Sequence, residues 1–239
     1  MGNSQLDLLK ELEQYDTPTI TNAVATYPSD KENCLGLYNP WEANWYANQS
    51  LKCMYPEIGR RAGYAVTVVY GMPDPAFGRL EFIDILKAIE KSPKPVILAV
   101  KQNFPEHIKN KNGLLGGNML TSFKQVGVTG IVTDGPSRDL EEIRPLHIQC
   151  MFTGLAAGHG SFVIQAINVP VDICGMDVAP GEIIHAGEDG AVKFPAGYLE
   201  DVAVRVKRIQ EGDEKRQAAI RATNDPVKIA KFMKGIYED

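Results

Sequence analysis

Short apolar runs of strand character recur from Gly63 to Phe194, and their number limits the possible folds more than any other feature of the sequence. Tyr64-Ala65-Val66-Thr67-Val68-Val69-Tyr70, Pro95-Val96-Ile97-Leu98-Ala99-Val100 and Gly130-Ile131-Val132-Thr133-Asp134-Gly135 read as strands, with the second run fully buried. Helical patterns lie between them, over residues 79–91 and over 118–126, the latter opened by Gly116-Gly117 and closed by Gly127. Further β-like pieces then follow near 148–153, 161–167, 170–174, 182–185 and 190–194. These are too many for a simple doubly wound sheet, so the expectation is an α/β fold of layered β/β/α type.

The flanks are different. Residues 5–15 place Leu6, Leu8, Leu9 and Leu12 at helical spacing before Asp16-Thr17-Pro18, and residues 19–26 read as a second short helix. Residues 27–59 are aromatic, Asn-rich and irregular, with Pro28, Pro40 and Pro56 as breakers, and Trp41, Trp45 and Tyr46 are expected to form a small core of their own. Residues 198–239 read as a charged helical tail with Val202, Val206 and Ile209 on one stripe. With 239 residues, no internal repeat and no Pro/Gly/Ser linker, the expectation is one domain over 1–239, with its core at about 60–197.

Composition excludes several classes of function. Lys and Arg total 25 against 30 Asp and Glu, a net charge of −5, which disfavours nucleic acid as the main ligand. No apolar run approaches the roughly 18 residues of a membrane span, and no secretory leader is expected at the N-terminus. Cys34, Cys53, Cys150 and Cys174 lack C-x-x-C or zinc-type spacing, so reduced thiols and a cytoplasmic location are expected. Gly113-Leu114-Leu115-Gly116-Gly117 is neither a P-loop nor a dinucleotide fingerprint. Gly158-His159-Gly160-Ser161 is not a nucleophile elbow and reads as a turn, and His107, His147, His159 and His185 are not paired as on a zinc-binding helix.

What remains is Gly116 to Asp139. A Gly-Gly loop feeding a helix offers free backbone N–H groups and the positive end of the helix dipole to a carboxylate or phosphate. One helix and one strand later, Asp134-Gly135-Pro136-Ser137-Arg138-Asp139 presents a cation beside an anion. The planar fork of Arg138 suits a carboxylate, and Asp139 suits a hard divalent cation, Mg²⁺ or Mn²⁺, so that a 2-oxo acid satisfies both. On spacing alone the alternative stands that the two residues form a loop ion pair and a helix cap before Leu140-Glu141-Glu142-Ile143.

Gly116-Gly117 together with Val128-Thr129-Gly130-Ile131-Val132-Thr133-Asp134-Gly135-Pro136-Ser137-Arg138-Asp139 resembles the RraA-like family, which holds 4-hydroxy-4-methyl-2-oxoglutarate aldolases and regulators of ribonuclease E. Tyr15 to Ala23, Asn168-Val169-Pro170-Val171, Val178 to Ala186 and Asp189-Gly190-Ala191-Val192 are similar to the opening and closing segments of that family, so the likeness covers about residues 15–27 and 60–197. The resemblance implies a swivelling β/β/α domain assembled as a homotrimer or homohexamer. It also implies a metal-dependent lyase that releases pyruvate from a small 4-hydroxy-2-oxo acid or from oxaloacetate. Arg138 would bind the substrate carboxylate and Asp139 would ligate Mg²⁺ or Mn²⁺, both acting as catalytic residues, while Gly116, Gly117, Asn118 and Met119 would contact the same substrate end. Two other readings stay open: a non-catalytic regulator that binds a ribonuclease or helicase partner, and a metal-assisted hydratase or decarboxylase of another oxo acid. The chain departs from the family at Gly117, where many members carry Asp or Glu, and in the length of residues 31–56. Glu214 is a candidate carboxylate for a neighbouring subunit's site, against the simpler reading of a solvated helix charge. His159, His185 and metal-linked water are the candidate bases.

Overall fold

The computed structural model describes residues 4–27, 32–42 and 44–237, so Pro28 lies outside the described residues. Two short helices come first, α1 (Gln5–Leu12) and α2 (Thr17–Val24). Ser4 and Asp7 form a capping box on α1, while the Asp16 carboxylate accepts from the Thr19 amide and Pro18 opens the first turn of α2. After an irregular segment the chain forms β1 (Lys52–Cys53), β2 (Arg61–Gly71), α3 (Phe82–Lys91), β3 (Val96–Asn103), α4 (Glu106–Lys109), α5 (Gly117–Gln125) and β4 (Val128–Thr133). It continues through α6 (Leu140–Ile143), β5 (Gln149–Phe152), β6 (Val163–Ile167), β7 (Val171–Ile173), β8 (Met176–Val178), β9 (Ile183–Gly187) and β10 (Gly190–Phe194). Two helices end it, α7 (Leu199–Arg221) and α8 (Pro226–Met233).

Strands β2, β3, β4 and β5 are parallel neighbours, and β1 adds antiparallel to β5. The long strand β2 carries two antiparallel partners on one edge, β9 along Arg61–Tyr64 and β6 along Val68–Gly71. Strand β10 closes that side beside β9. The period-2 pattern of the parallel strands sorts their side chains onto two faces. Val66, Val68, Leu98, Val100 and Ile131 pack under Ile85 and Ile89 of α3 and Leu120 and Phe123 of α5. Ala65, Ile97, Ala99 and Val132 face the β7–β8 hairpin through Ile173, Met176 and Val178. Hairpin, sheet and helices are the three layers of the expected β/β/α fold. A third core joins Leu9, Leu12 and Ile20 to Ile183, Phe194, Val202 and Val206, so the predicted stripe on α7 does face the N-terminal helices.

The irregular segment is structural. Trp45 is buried, stacked on Tyr38 at 5.2 Å and edge-on to Tyr46 at 4.7 Å, and its backbone pairs with β10 through Lys193 N–H to Trp45 O. The expected small core of its own does not form: Trp45 joins Leu9, Ile20, Val192 and Phe194 in the third core, with Tyr46 packed against it, and Trp41 is 92% exposed. None of this segment's described residues lines the cleft described below, but its end braces it: the Tyr55 hydroxyl donates to Leu140 O of α6 at 2.6 Å. No helix among the described residues is long and apolar enough to cross a membrane, and the four cysteines are free thiols.

Candidate active site

The carboxyl ends of β3 and β4 and the amino end of α5 meet at one place, where an open α/β sheet characteristically binds ligands. Asp134, at the end of β4, is a structural anchor. Its carboxylate accepts from the Gln102 amide at 2.7 Å and pairs with Lys101 at 2.9 Å and Lys109 at 3.1 Å. Gly135 follows because a Cβ there would come within 2.3 Å of the Gln102 side chain. The chain then runs alongside the α5 entry loop: Arg138 N–H donates to Leu115 O at 3.1 Å, and the Ser137 hydroxyl donates to the same oxygen. On its other side Ala156 N–H donates to Ser137 O at 3.0 Å.

This clamp delivers Arg138 and Asp139 to the first turn of α5. Asp139 adopts the left-handed conformation (φ 60°, ψ 40°), which Asp tolerates better than most residues. Although Asp139 stands at the N-cap position of α6, its side chain does not cap that helix. It turns instead to α5, where Oδ2 accepts from Gly117 N–H at 3.1 Å and lies 3.4 Å from Arg138 Nε. The cap alternative for this pair is thereby settled against, whereas the ion pair is real. Arg138 Nε is buried and makes no hydrogen bond.

Gly116 is required by contact, because its φ of −131° suits any residue. A Cβ there would come within 2.6 Å of Asp139 Oδ2 and 3.0 Å of Arg138 Nε. The guanidinium and carboxylate therefore lie directly against the loop backbone. With Gly117 N–H committed to Asp139, the amides of Asn118 and Met119 have no protein acceptor among the described residues, and they sit at the positive end of α5. Asn118 is exposed, while the Met119 side chain packs into the helix-side core, so only its amide is available to a ligand.

A cleft of about 490 Å³ opens here, lined by Arg138, Asp139, Glu141 and Glu142 and by an apolar wall that includes Leu155 and Ala156. Sequence reasoning missed Glu141, Glu142 and the wall. Glu142 was legible as the residue three after Asp139 on the short helix, but its approach to α5 depends on the fold. Three carboxylates against one guanidinium give the cleft an acidic excess that a hard divalent cation would offset. Such a cation keeps several waters and needs only one or two protein carboxylates, so Asp139 fits it. No group of three or more His, Cys, Asp or Glu suited to a metal occurs among the described residues, which is unlike a closed zinc site.

The other candidates lie elsewhere. His185 on β9 is fully buried between the sheet and α1, pairing at the amino end of β2. Its Nε2 bonds Leu12 O at 3.1 Å and its Nδ1 bonds Thr17 Oγ1 at 3.1 Å, and burial pushes its pKa down to about 4. It is a core histidine and not a base of this cleft. His159 is exposed, with Nδ1 2.9 Å from Gly160 O, and does not line the cleft. Glu214 accepts from Gln210 at 2.8 Å on an exposed face of α7.

Fold and site together define a layered α/β protein whose cleft sets an arginine and acceptor-free helix amides beside a carboxylate. The family profile described as "RraA-like: Aldolase/RraA" matches residues 17–193, and the chain belongs to that family. It is 35% identical over 109 residues to a provisionally named 4-hydroxy-4-methyl-2-oxoglutarate aldolase of Halalkalibacterium halodurans, covering 45% of this chain and 51% of that protein. It is 33% identical over 88 residues to the 4-hydroxy-4-methyl-2-oxoglutarate aldolase of Thermus thermophilus, covering 36% and 52%. The chain thus spans about half the length of the curated relatives it matches. Among solved structures, Streptomyces coelicolor RraAS2, described as an unusual member of the RNase ES inhibitor RraA protein family, superposes with a TM-score of 0.67 at 21% identity, covering 91% of this chain and 98% of that one. At that identity the likeness shows the shared fold alone.

Proposed function

We propose that the chain is a divalent-metal-dependent carbon–carbon lyase that releases pyruvate from a small 4-hydroxy-2-oxo acid or from oxaloacetate. The observation that carries this reading is that the Arg138 guanidinium and two acceptor-free amides are set at the start of α5 beside the Asp139 carboxylate. The first two bind a carboxylate; the third is the donor a hard cation needs. The relatives named as aldolases support the same chemistry.

In this reading Arg138 grips the substrate carboxylate, with the amides of Asn118 and Met119 completing the cradle. Gly116 and Gly117 let the Arg138, Asp139 and Glu142 side chains lie against the loop backbone beside that cradle. Asp139 would hold Mg²⁺ or Mn²⁺, which supplies Lewis-acid polarisation of the 2-oxo group when bound. Fixing the carboxylate end orients the scissile bond against the carbonyl π system, and the wall at Leu155 and Ala156 excludes water from one side. Leu155, 55% exposed, is apolar surface that a neighbouring subunit would cover in the homotrimer or homohexamer that belongs to this proposal.

The test is pyruvate release from 4-hydroxy-4-methyl-2-oxoglutarate and from oxaloacetate, with Mg²⁺, with Mn²⁺ and after chelation. The expected result is metal-dependent release that Arg138→Ala reduces by about 100-fold or more, the scale of removing a preorganised charge-stabilising group. Release that persists in chelator, or that Arg138→Ala leaves unchanged, contradicts the reading.

A further inference from the structure

Glu141 and Glu142 are the carboxylates of this cleft that the reading above leaves without a task, and Glu142 is the one set against α5. Its Oε2 stands 2.1 Å from the point where a Gly117 Cβ would be, with Cβ and Cδ of Glu142 at 3.1 and 3.2 Å from the same point. The glycine therefore makes room for a carboxylate that arrives from α6 instead of from the loop itself. Asp134 is bound by two lysines and an amide, and Asp139 by Gly117 N–H and Arg138. The Glu142 carboxylate, in contrast, makes no hydrogen bond or ion pair among the described residues, and it lines the cleft. It stands beside the anion cradle without filling it, since the acceptor-free amides are those of Asn118 and Met119. The α6 backbone that carries it is fixed by Glu142 N–H to Asp139 O at 3.1 Å and by Tyr55 beneath Leu140 O.

We propose that Glu142 is the proton acceptor for aldol cleavage, a catalytic residue of the lyase reaction on which this inference rests. The C4 hydroxyl proton passes to the Glu142 carboxylate as the O–H electron pair becomes the new C=O bond. The C3–C4 bond breaks and its electron pair goes into the enolate of pyruvate. A proton at C3 then gives pyruvate, and the carboxyl proton returns to solvent, so the step needs no oxidant or further reactant.

The two candidate substrates separate this role from a structural one. Oxaloacetate loses CO₂ to the same enolate and has no hydroxyl proton to surrender. Glu142→Gln, nearly isosteric and neutral, should lower kcat for 4-hydroxy-4-methyl-2-oxoglutarate cleavage by about 100-fold or more, the usual range for a lost general base. At saturating Mg²⁺, oxaloacetate decarboxylation by the same preparation should fall at least about tenfold less than aldol cleavage does. Glu142→Asp should recover part of the aldolase rate. Equal losses on both substrates would assign Glu142 to positioning and overturn the proposal, as would an unimpaired aldolase rate. Decarboxylation with no aldol cleavage in the wild-type chain would overturn the proposal and leave a decarboxylase. Release from neither substrate would reject the lyase reading and the proposal with it.

Discussion

Arg138 and Asp139 are held in place by a residue with no side chain. Because Gly116 is needed for contact and not for backbone freedom, Gly116→Ala tests the geometry of the pair without straining the fold. The added methyl would meet Asp139 Oδ2 and Arg138 Nε, both on partly exposed side chains that can swing outward. Pyruvate release should fall by about 100-fold, as misplacement by about 1 Å can cost. The thermal midpoint should stay close to wild type, because no core contact is lost. Steady-state kinetics and a melting curve on the same sample check both expectations. Arg138→Lys asks whether shape matters as well as charge: losing the planar fork should raise KM for the 2-oxo acid by about tenfold while the fold is retained.

At the scale of elements, the irregular segment before β2 divides into a part that packs and a part that does not. Trp45→Ala should cost about 3–5 kcal/mol, because it empties a buried site between Tyr38 and Tyr46 and removes the indole donor to Asn39 O. Trp41→Ala should change stability by less than about 0.5 kcal/mol, since that ring is exposed. Denaturant midpoints of the two variants make the comparison. The sequence showed an aromatic cluster here but could not say which ring turns inward, because that depends on the segment pairing with β10. The parallel strands were legible, since apolar runs such as Val96 to Val100 are long enough to carry their own signal. Strand β8 was not. It is three residues long and returns from β7 through Cys174-Gly175, both at positive φ (53° and 86°), where the usual Asn-Gly or Asp-Gly signal is absent. The Gly-Gly loop and the Arg138-Asp139 pair were visible because each has its own local chemistry. Glu142 was hidden because its approach to Gly117 spans two helices joined only in space.

On the scale of the whole molecule, His185 links pH to stability from a position far from the cleft. Its folded-state pKa of about 4 lies below the 6.5 of an unburied histidine, so between these values the unfolded chain binds the proton and the folded chain does not. Its contribution is complete above about pH 6.5 and is lost as pH falls toward 4, a change on the order of 3 kcal/mol. Urea unfolding of wild type and His185→Gln at pH 7 and pH 4.5 should show the stability difference between them shrinking at the lower pH. A difference that stays constant would remove His185 from the pH response.

As proposed above, one carboxylate, that of Asp139, makes this cleft a metal site for a 2-oxo acid. That role is tested most directly by titrating Mg²⁺ into chelated wild type and Asp139→Asn while following pyruvate release from oxaloacetate. Wild type should rise from background to a saturating rate, and Asp139→Asn should stay near background at every Mg²⁺ concentration while melting, in the absence of metal, at nearly the same temperature. An Asp139→Asn protein with the wild-type rate and the wild-type Mg²⁺ dependence would contradict the account.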